Sequence, residues 1–286
     1  MSRIAYVNGR YVPLDKARVH VEDRGFQFAD GVYEVFPIYA GRIVNRAWHM
    51  QRLVQSLQAL RIEWPVVPEV LVAILAQILR RNRIMAGGMI YLQITRGAAP
   101  RNHMFPDRMI RPTLVVLARP IDMAARAEQA AKGLRIISVP DTRWARRDIK
   151  SIALLANMLA KQQAYEAGAA EALFVNDQGI VTECATSTFW ILRADGVLQT
   201  HPLGHDILPG VTRGVVLGLA GEIGLKVQEQ AFSLSEAMGA REAFLTSATN
   251  FVMPVTQIDA SIIGNGAPGP VSIALRRAYI ARLEVF

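Results

Sequence analysis

Lys150 is the residue whose type says most about chemistry in this chain. The sequence contains 27 arginines and 5 lysines, so a position that needed only positive charge would be expected to hold arginine. A lysine amine can lose its proton, attack a carbonyl carbon and form a Schiff base, which a guanidinium cannot do. Arg143, Arg146 and Arg147 precede it, and neighbouring cations would favour loss of that proton. We predict a nucleophilic lysine, with a surface lysine as the alternative from this segment alone.

Glu183 is the second candidate. Residues 183–189 contain a carboxylate, a thiol and three hydroxyl groups between apolar strands, and such density in a region that should be core indicates a polar pocket. A pyridine-containing cofactor needs a carboxylate at its ring nitrogen, so that the protonated ring can accept electrons. We assign that role to Glu183 and a cofactor contact to Ser187. The alternative is a glutamate that ends an edge strand.

Three further segments could bind an anion. In residues 208–214 a Pro-Gly turn opens a helix, whose first N–H groups and dipole favour negative charge. Residues 246–250 place small and hydroxyl-bearing side chains after a strand. Arg52, among the apolar residues of a predicted helix, could reach inward to a phosphate. An ordinary helix start, a plain turn and a solvated arginine are the respective alternatives.

Two segments could hold a substrate. Arg101 and His103 alternate in an extended loop, so their side chains can converge on one carboxylate, for which arginine supplies a two-pronged donor. Residues 22–35 contain two glycines and four acids and lead into a strand that bears Tyr33. A polar surface loop and a turn held by its own ion pairs explain these segments equally well.

Composition limits the classes of protein. With 286 residues, 51% hydrophobic and 20% charged, the chain is long enough for one large or two medium globular domains. The net charge of +8 comes from arginines spread along the whole chain, which favours anionic small molecules over a nucleic-acid face. The single cysteine excludes an intramolecular disulfide and a cysteine metal cluster. Since neither a signal peptide nor a membrane span is evident, we expect a cytoplasmic protein that needs no metal.

Hydrophobic periodicity predicts the elements that must position these residues. The predicted strands are 4–7, 11–12, 32–39, 89–95, 113–118, 134–139, 172–175, 180–183, 187–192, 226–229 and 243–246. One predicted helix begins near residue 46, and the others are 68–83, 152–167, 211–223 and 271–283. Strands and helices alternate without a regular βαβ repeat, which predicts an α/β fold with mixed sheets. The expected organisation is a smaller α/β domain (1–120), a connection (121–133) and a larger α/β domain (134–286).

In their order along the chain, these segments resemble the fold-type IV pyridoxal-phosphate enzymes, most closely the D-amino-acid aminotransferases. The matching segments are 22–28 with 30–35, 95–97 with 100–103, 148–151, 181–183 and 210–213. The resemblance implies transamination between a D-amino acid, such as D-alanine or D-glutamate, and a 2-oxo acid. It implies a ping-pong reaction through pyridoxamine phosphate, a homodimer, and a cofactor site at the domain interface.

The resemblance also assigns roles. Lys150 forms the Schiff base with pyridoxal 5'-phosphate and then carries the proton, and Glu183 pairs with the pyridine nitrogen. Tyr33, Arg101 and His103 bind the substrate carboxylate, the last two across a dimer interface, and this binding favours D-amino acids. The residues that surround the cofactor phosphate are Arg52, Val211, Thr212, Ser247 and Ala248.

Three positions depart from the family pattern. Cys184 stands where glycine is common, Ala248 where a threonine hydroxyl often binds phosphate, and Thr188 where asparagine is frequent. Phe36 and Pro37 follow Tyr33 on the strand expected to line the pocket, so we expect them to shape selectivity. The alternatives within the fold are a branched-chain L-amino-acid aminotransferase, an aminodeoxychorismate lyase and an (R)-selective amine aminotransferase. A basic nucleic-acid-binding protein is the alternative from another class.

Overall fold

The computed structural model describes residues 3–285, which form two compact units. The first unit comprises the residues up to Asp122 together with Ile149–Ala153. The second comprises Met123–Asp148 and the residues from Leu154 onward. Each unit packs helices on a β-sheet, and the predicted α/β class with mixed sheets is confirmed.

The first unit is built on a six-stranded antiparallel sheet. Its strands are β1 (Ile4–Val7), β2 (Arg10–Pro13), β3 (Gly31–Tyr39), β4 (Arg42–Ile43), β5 (Gly87–Thr95) and β6 (Thr113–Pro120). Their order across the sheet is β2-β1-β6-β5-β3-β4. Strands β3, β5 and β6 pair over almost their whole lengths and form the rigid centre of this unit.

Helices cover one face of that sheet. They are α2 (Arg46–Leu60), which packs on β3, and α3 (Pro68–Arg81), which packs on β1, β5 and β6. The short helix α1 (Arg24–Phe28) precedes β3. Side chains alternate along a strand, so Val32, Phe36 and Ile38 of β3 share a face and join the buried cluster with Leu53 and Leu57 of α2. Full burial of each such side chain contributes about 1.5–3 kcal/mol.

The second unit contains a nine-stranded mixed sheet. Its strands are β7 (Leu134–Pro140), β8 (Glu171–Val175), β9 (Val181–Cys184), β10 (Thr188–Leu192), β11 (Leu198–Thr200), β12 (Val227–Glu229), β13 (Glu242–Ser247), β14 (Phe251–Ile258) and β15 (Ser261–Ile262). The order is β12-β11-β10-β13-β14-β7-β8-β9, with β15 on β14. Its helices are α4 (Met123–Lys132), α5 (Leu155–Glu166), α6 (Val211–Glu222), α7 (Leu234–Met238) and α8 (Pro270–Val285).

Three of the differences between the structure and the sequence prediction have a clear cause in the chain. The segment predicted as a connection, 121–133, contains α4, because its alanine-rich sequence has high helix propensity. Helix α5 begins at Leu155 and not at residue 152, because Ser151 and Ile152 pair instead with the start of β3. Strand β14 was not predicted, since Pro254 interrupts its pattern. Over residues 3–285 no helix is both long and apolar enough to cross a membrane.

Candidate active site

Lys150 lies in the first unit, held by backbone pairing to β3. The Tyr33 N–H donates to the Lys150 carbonyl at 3.0 Å, and Ser151 forms a bridge with Val32. The Lys150 N–H donates to Ser56 Oγ at 3.2 Å. Its side chain is half-buried, with Nζ 4.2 Å from the centroid of the Tyr33 ring. Two residues predicted to act on one substrate are therefore neighbours, fixed by a strand and not by a mobile loop.

The sheet face that bears Tyr33 is the one opposite helices α2 and α3. Tyr33 stacks on Tyr91 of β5 with ring centroids 5.7 Å apart, and burial, followed by the charge of Tyr33, raises the pKa of Tyr91 to about 12. Strand alternation puts Val35 and Pro37 on this face. Phe36, expected to shape selectivity, points instead into the helix-covered core and is fully buried. Val35 is the pocket candidate that the sequence reasoning missed.

Arg52 belongs to a buried charged triad with Glu34 and His49. Its Nε and Nη2 donate to the two Glu34 oxygens at 3.0 and 2.6 Å, and His49 Nδ1 lies 2.9 Å from Glu34 Oε1. Burial alone would raise the pKa of Glu34, but the Arg52 and His49 contacts hold it well below its usual range. A charge on this apolar face is tolerated only because it is paired. Its position in the alternating pattern of β3 could have revealed it from sequence.

The triad makes stability depend on pH. Burial, partly opposed by Glu34, lowers the pKa of His49, so the folded protein keeps this imidazole neutral at pH values where the unfolded chain is protonated. The stabilisation is complete above about pH 6.5 and is lost as the pH falls, by up to about 1.4 kcal/mol per pH unit. We expect His49→Gln to lose less unfolding free energy than the wild type between about pH 7.5 and 5.5. Urea unfolding at both pH values measures this, and parallel losses in the two proteins would contradict it.

Glu183 is buried on β9 in the second unit, where both of its oxygens accept hydrogen bonds. Oε1 accepts from Nη1 of Arg143, and Oε2 accepts from the Leu208 N–H at 3.2 Å. Arg143 also donates to Asp141 Oδ2 at 2.8 Å, and its guanidinium lies 4.3 Å from the Phe174 ring centroid. The arginine places a positive charge against Glu183, and a carboxylate is the group that a protonated ring nitrogen requires.

The expected run of cations before Lys150 is balanced by carboxylates. Arg143 pairs with Asp141 and Glu183, and Arg146 pairs with Asp148 at 2.8 Å. Arg147 Nη1 contacts Asp206 at 2.8 Å, and its Nε lies 3.4 Å from Asp141. Each of these three guanidinium groups is therefore paired with carboxylates of the second unit.

Several anion-binding candidates converge in the second unit. The backbone of Gly210 lies against Thr188, since a Cβ on this glycine would be 2.8 Å from Thr188 Oγ1. Thr188 pairs in register with Thr246, next to Ser247. Gly210 precedes α6 without a capping side chain, so the first N–H groups of this twelve-residue helix need acceptors. The Leu208 N–H bond joins this corner to Glu183.

The donors at this corner fit a phosphate. Val211 and Thr212, at the start of α6, are buried. Ser247 Oγ is also buried and has no hydrogen-bond partner within residues 3–285, and Ala248 follows it in the turn to β14. An unpaired hydroxyl beside a helix N-terminus is suited to an anionic oxygen. Ser187, which directly precedes Thr188, is also buried, and its carbonyl accepts a hydrogen bond from the Cys184 N–H at 2.8 Å.

Cys184 belongs to the core. It is buried in the apolar cluster of the second unit, and burial raises the pKa of its thiol well above the usual value. The thiol therefore stays neutral. The departure from glycine at this position adds packing volume beside Glu183 and no charge.

Arg101 and His103 are exposed in the loop after β5. Arg101 Cζ lies 4.9 Å from the centroid of the Phe28 ring, and the His103 ring centroid is 5.4 Å from the same point. The structure therefore places these two side chains around one aromatic residue of α1, within the first unit.

Comparison with known proteins gives one consistent result. Residues 31–258 match the model of the family described as amino-transferase class IV. A D-alanine aminotransferase from Bacillus licheniformis is 40% identical over 265 residues, 93% of this chain and 92% of the relative. One from Listeria monocytogenes serotype 4b is 38% identical over 279 residues, 97% of this chain and 95% of the relative.

Solved structures show the same fold. The branched-chain amino acid aminotransferase of Escherichia coli has a TM-score of 0.89 at 24% identity, covering 98% of this chain and 94% of that one. The branched-chain enzyme of Thermoproteus uzoniensis, solved with norvaline, has a TM-score of 0.86 at 24% identity and the same coverage of both chains. With a family match over most of its length and full-length relatives near 40% identity, this chain belongs to the class IV aminotransferases.

Proposed function

We propose that this protein transfers an amino group between D-amino acids and 2-oxo acids with pyridoxal 5'-phosphate as cofactor. The proposal rests on the chemical groups that each unit provides. One unit fixes an amine beside Tyr33, and the other joins a buried carboxylate to an uncapped helix N-terminus. The family resemblance implies that these groups act on one cofactor. Bound pyridoxal phosphate would supply an aldehyde for covalent capture and a ring that accepts electrons.

The chemistry of this chain centres on Lys150. Its Nζ would hold the cofactor covalently. As a free amine, it would act as general base, taking the proton from Cα of the donor and returning a proton later in the reaction. The hydrogen bonds with Tyr33 and Ser56 fix the backbone of Lys150, so the amine stays within the reach of one side chain.

The remaining contacts would be made with the ring and with the phosphate of the cofactor. Glu183, supported by Arg143, would keep the ring nitrogen protonated. Ser187, in the turn that precedes β10, would contact the cofactor from beside Cys184. The phosphate would be held by the first N–H groups of α6, by hydroxyls, and by one guanidinium. These residues are Arg52, Val211, Thr212, Ser247 and Ala248.

The substrate carboxylate would be bound by Tyr33, Arg101 and His103. The proton that is removed is the one on the side facing Lys150, so the side that anchors the carboxylate decides between D- and L-amino acids. The two relatives compared above are D-alanine aminotransferases. This supports a D-amino acid, such as D-alanine or D-glutamate, over the branched-chain amino acids after which the structural neighbours are named.

A donor comparison tests the function. We expect D-alanine or D-glutamate with a 2-oxo acid acceptor to give kcat/KM values at least about 10²-fold above that for L-leucine. Chiral analysis of the remaining donor, together with initial rates, measures this. Preference for L-leucine would establish a branched-chain enzyme, and pyruvate release from aminodeoxychorismate without transamination would establish a lyase. Either outcome would overturn the D-amino-acid proposal.

We also propose a cytoplasmic homodimer. The loop that carries Arg101 and His103 exposes three large apolar side chains, those of Met104, Phe105 and Met109. Apolar groups clustered beside functional residues are typical of a surface covered by another protein chain. A second copy of this chain is the partner that the family resemblance implies.

A further inference from the structure

The segment that carries Arg101 and His103 is attached to helix α1 by one arginine. Arg24 Nη1 donates to the carbonyl of Asn102 at 2.6 Å. Asn102 is the residue between the two side chains predicted to bind the substrate carboxylate. The bond therefore holds the middle of the triplet and leaves both of its side chains unobstructed by the anchor.

The ring of Phe28, at the end of α1, supports the side chains themselves. The guanidinium carbons of Arg24 and Arg101 each lie 4.9 Å from its centroid, and His103 lies 5.4 Å away at an interplanar angle of 54°. Cation–π contacts at such distances contribute about 0.5–1 kcal/mol each at exposed sites. The ring thus limits where Arg101 and His103 can point, although both are exposed.

Arg24 is itself immobilised. It is 3% exposed, and its Nε donates to Asp30 Oδ2 at 2.7 Å. Its backbone N–H donates to the Gly97 carbonyl at 2.9 Å. Helix α1 also packs tightly on the end of β5, because a Cβ on Gly25 would be 2.2 Å from Thr95 Cγ2. The position of Arg24 is therefore fixed by its own hydrogen bonds and by the packing of α1 on the sheet.

We propose that Arg24 is a positioning residue for substrate recognition, acting through Arg101 and His103. The inference rests on the proposed function, in which these two side chains bind the substrate carboxylate. Arg24 and Phe28 fix the separation and direction of two exposed donors before the substrate arrives. Without this anchor, ordering the loop would cost binding free energy. The cost falls on binding of the carboxylate and not on the chemistry at Lys150.

Arg24→Lys is the decisive variant. Lysine keeps a positive charge beside Asp30 but lacks the fork that reaches both Asp30 and Asn102. We expect KM for D-alanine and the inhibition constant of propionate, a carboxylate without an amine, to rise about 10-fold, with kcat changed less than about threefold. Visible absorbance of the bound cofactor should stay unchanged. Phe28→Leu should give smaller rises in the same two constants. It replaces Arg24→Lys in this test if that variant does not fold.

Arg96→Lys is the matched control. Arg96 pairs with the same Asp30, at 2.8 Å, but donates to the carbonyls of Leu60 and Arg61 and not to Asn102. It also lies over the Phe105 ring, a contact that a lysine cation can keep. We expect a similar loss of thermal stability in both variants and a rise in the propionate constant only in Arg24→Lys. An equal rise in the propionate inhibition constant of both variants would show that Arg24 has only a general structural role.

Arg101→Met separates this inference from the proposed function. If that variant leaves the propionate constant unchanged, the carboxylate assignment fails and the positioning role fails with it. If Arg101→Met raises the constant and Arg24→Lys does not, only the positioning role is overturned. If both raise it, the effects of Arg24→Lys and Arg101→Met should be less than additive in the double variant, because one of the two side chains through which Arg24 acts is already removed while His103 remains.

Discussion

Replacing Lys150 by arginine should lower kcat by at least about 10³-fold. Arginine keeps the positive charge beside the Tyr33 ring, but its guanidinium stays protonated and cannot form a Schiff base. The variant should fold, since the backbone bonds that hold residues 150 and 151 do not depend on the side chain. Single-turnover rates with D-alanine and the visible absorbance of the purified protein measure the two effects.

Lys132→Arg is the control for this variant. Lys132 lies on α4 and pairs with Glu128 on the same helix, with most of its side chain exposed. We expect unchanged turnover, unchanged absorbance and unchanged thermal stability. The assignment of Lys150 is wrong if Lys150→Arg retains more than about a tenth of wild-type turnover, or if borohydride reduction and peptide mapping locate the cofactor on another lysine.

Glu183→Gln should lower kcat/KM by about 10²–10³-fold. A neutral amide fits the same volume but no longer favours a proton on the ring nitrogen. The fold should survive because Arg143 keeps its bonds to Asp141. Kinetics of both half-reactions, with the spectrum of the bound cofactor as a function of pH, measure the effect.

Glu171→Gln tests whether any buried glutamate of this sheet would give the same loss. Glu171 lies on β8, is buried, and accepts from Thr186 and from the Ala172 N–H. We expect a loss of stability similar to that of Glu183→Gln but activity within about threefold of wild type. Comparable losses of activity in the two variants would show that Glu183 acts only through the fold.

Residue types with distinctive chemistry were accessible from the sequence. Lys150 stood out against an arginine-rich composition, and Glu183 stood out among hydroxyl-bearing residues between apolar strands. Glu34 was also accessible, because it interrupts the apolar side of β3, where a lone carboxylate needs a partner. Its partners were not accessible, since Arg52 and His49 lie on another element and only the packing of α2 on β3 brings them together.

Contacts between distant residues could not be predicted. Arg24 and Asn102 are 78 positions apart, and nothing in either local sequence indicates their bond. Phe36 was assigned to the pocket from its nearness to Tyr33, although the two-residue period of a strand puts it on the opposite side. Ser151 and Ile152 stand where helical spacing begins, yet their hydrogen bonds go to another part of the chain. Long-range pairing outweighed the local pattern at residues 151 and 152, whereas the side on which Phe36 lies follows from the period of the strand alone.

The five residues Ile149–Ala153 belong to the unit whose other members end at Asp122. The polypeptide therefore changes units three times, after residues 122, 148 and 153, and no single cut could separate the halves as independent folding pieces. A fragment truncated at Asp122 would lack Lys150, the proposed nucleophile, together with the rest of Ile149–Ala153. Exchange of the N-terminal segment at a single linker would therefore separate that unit from part of its own chain.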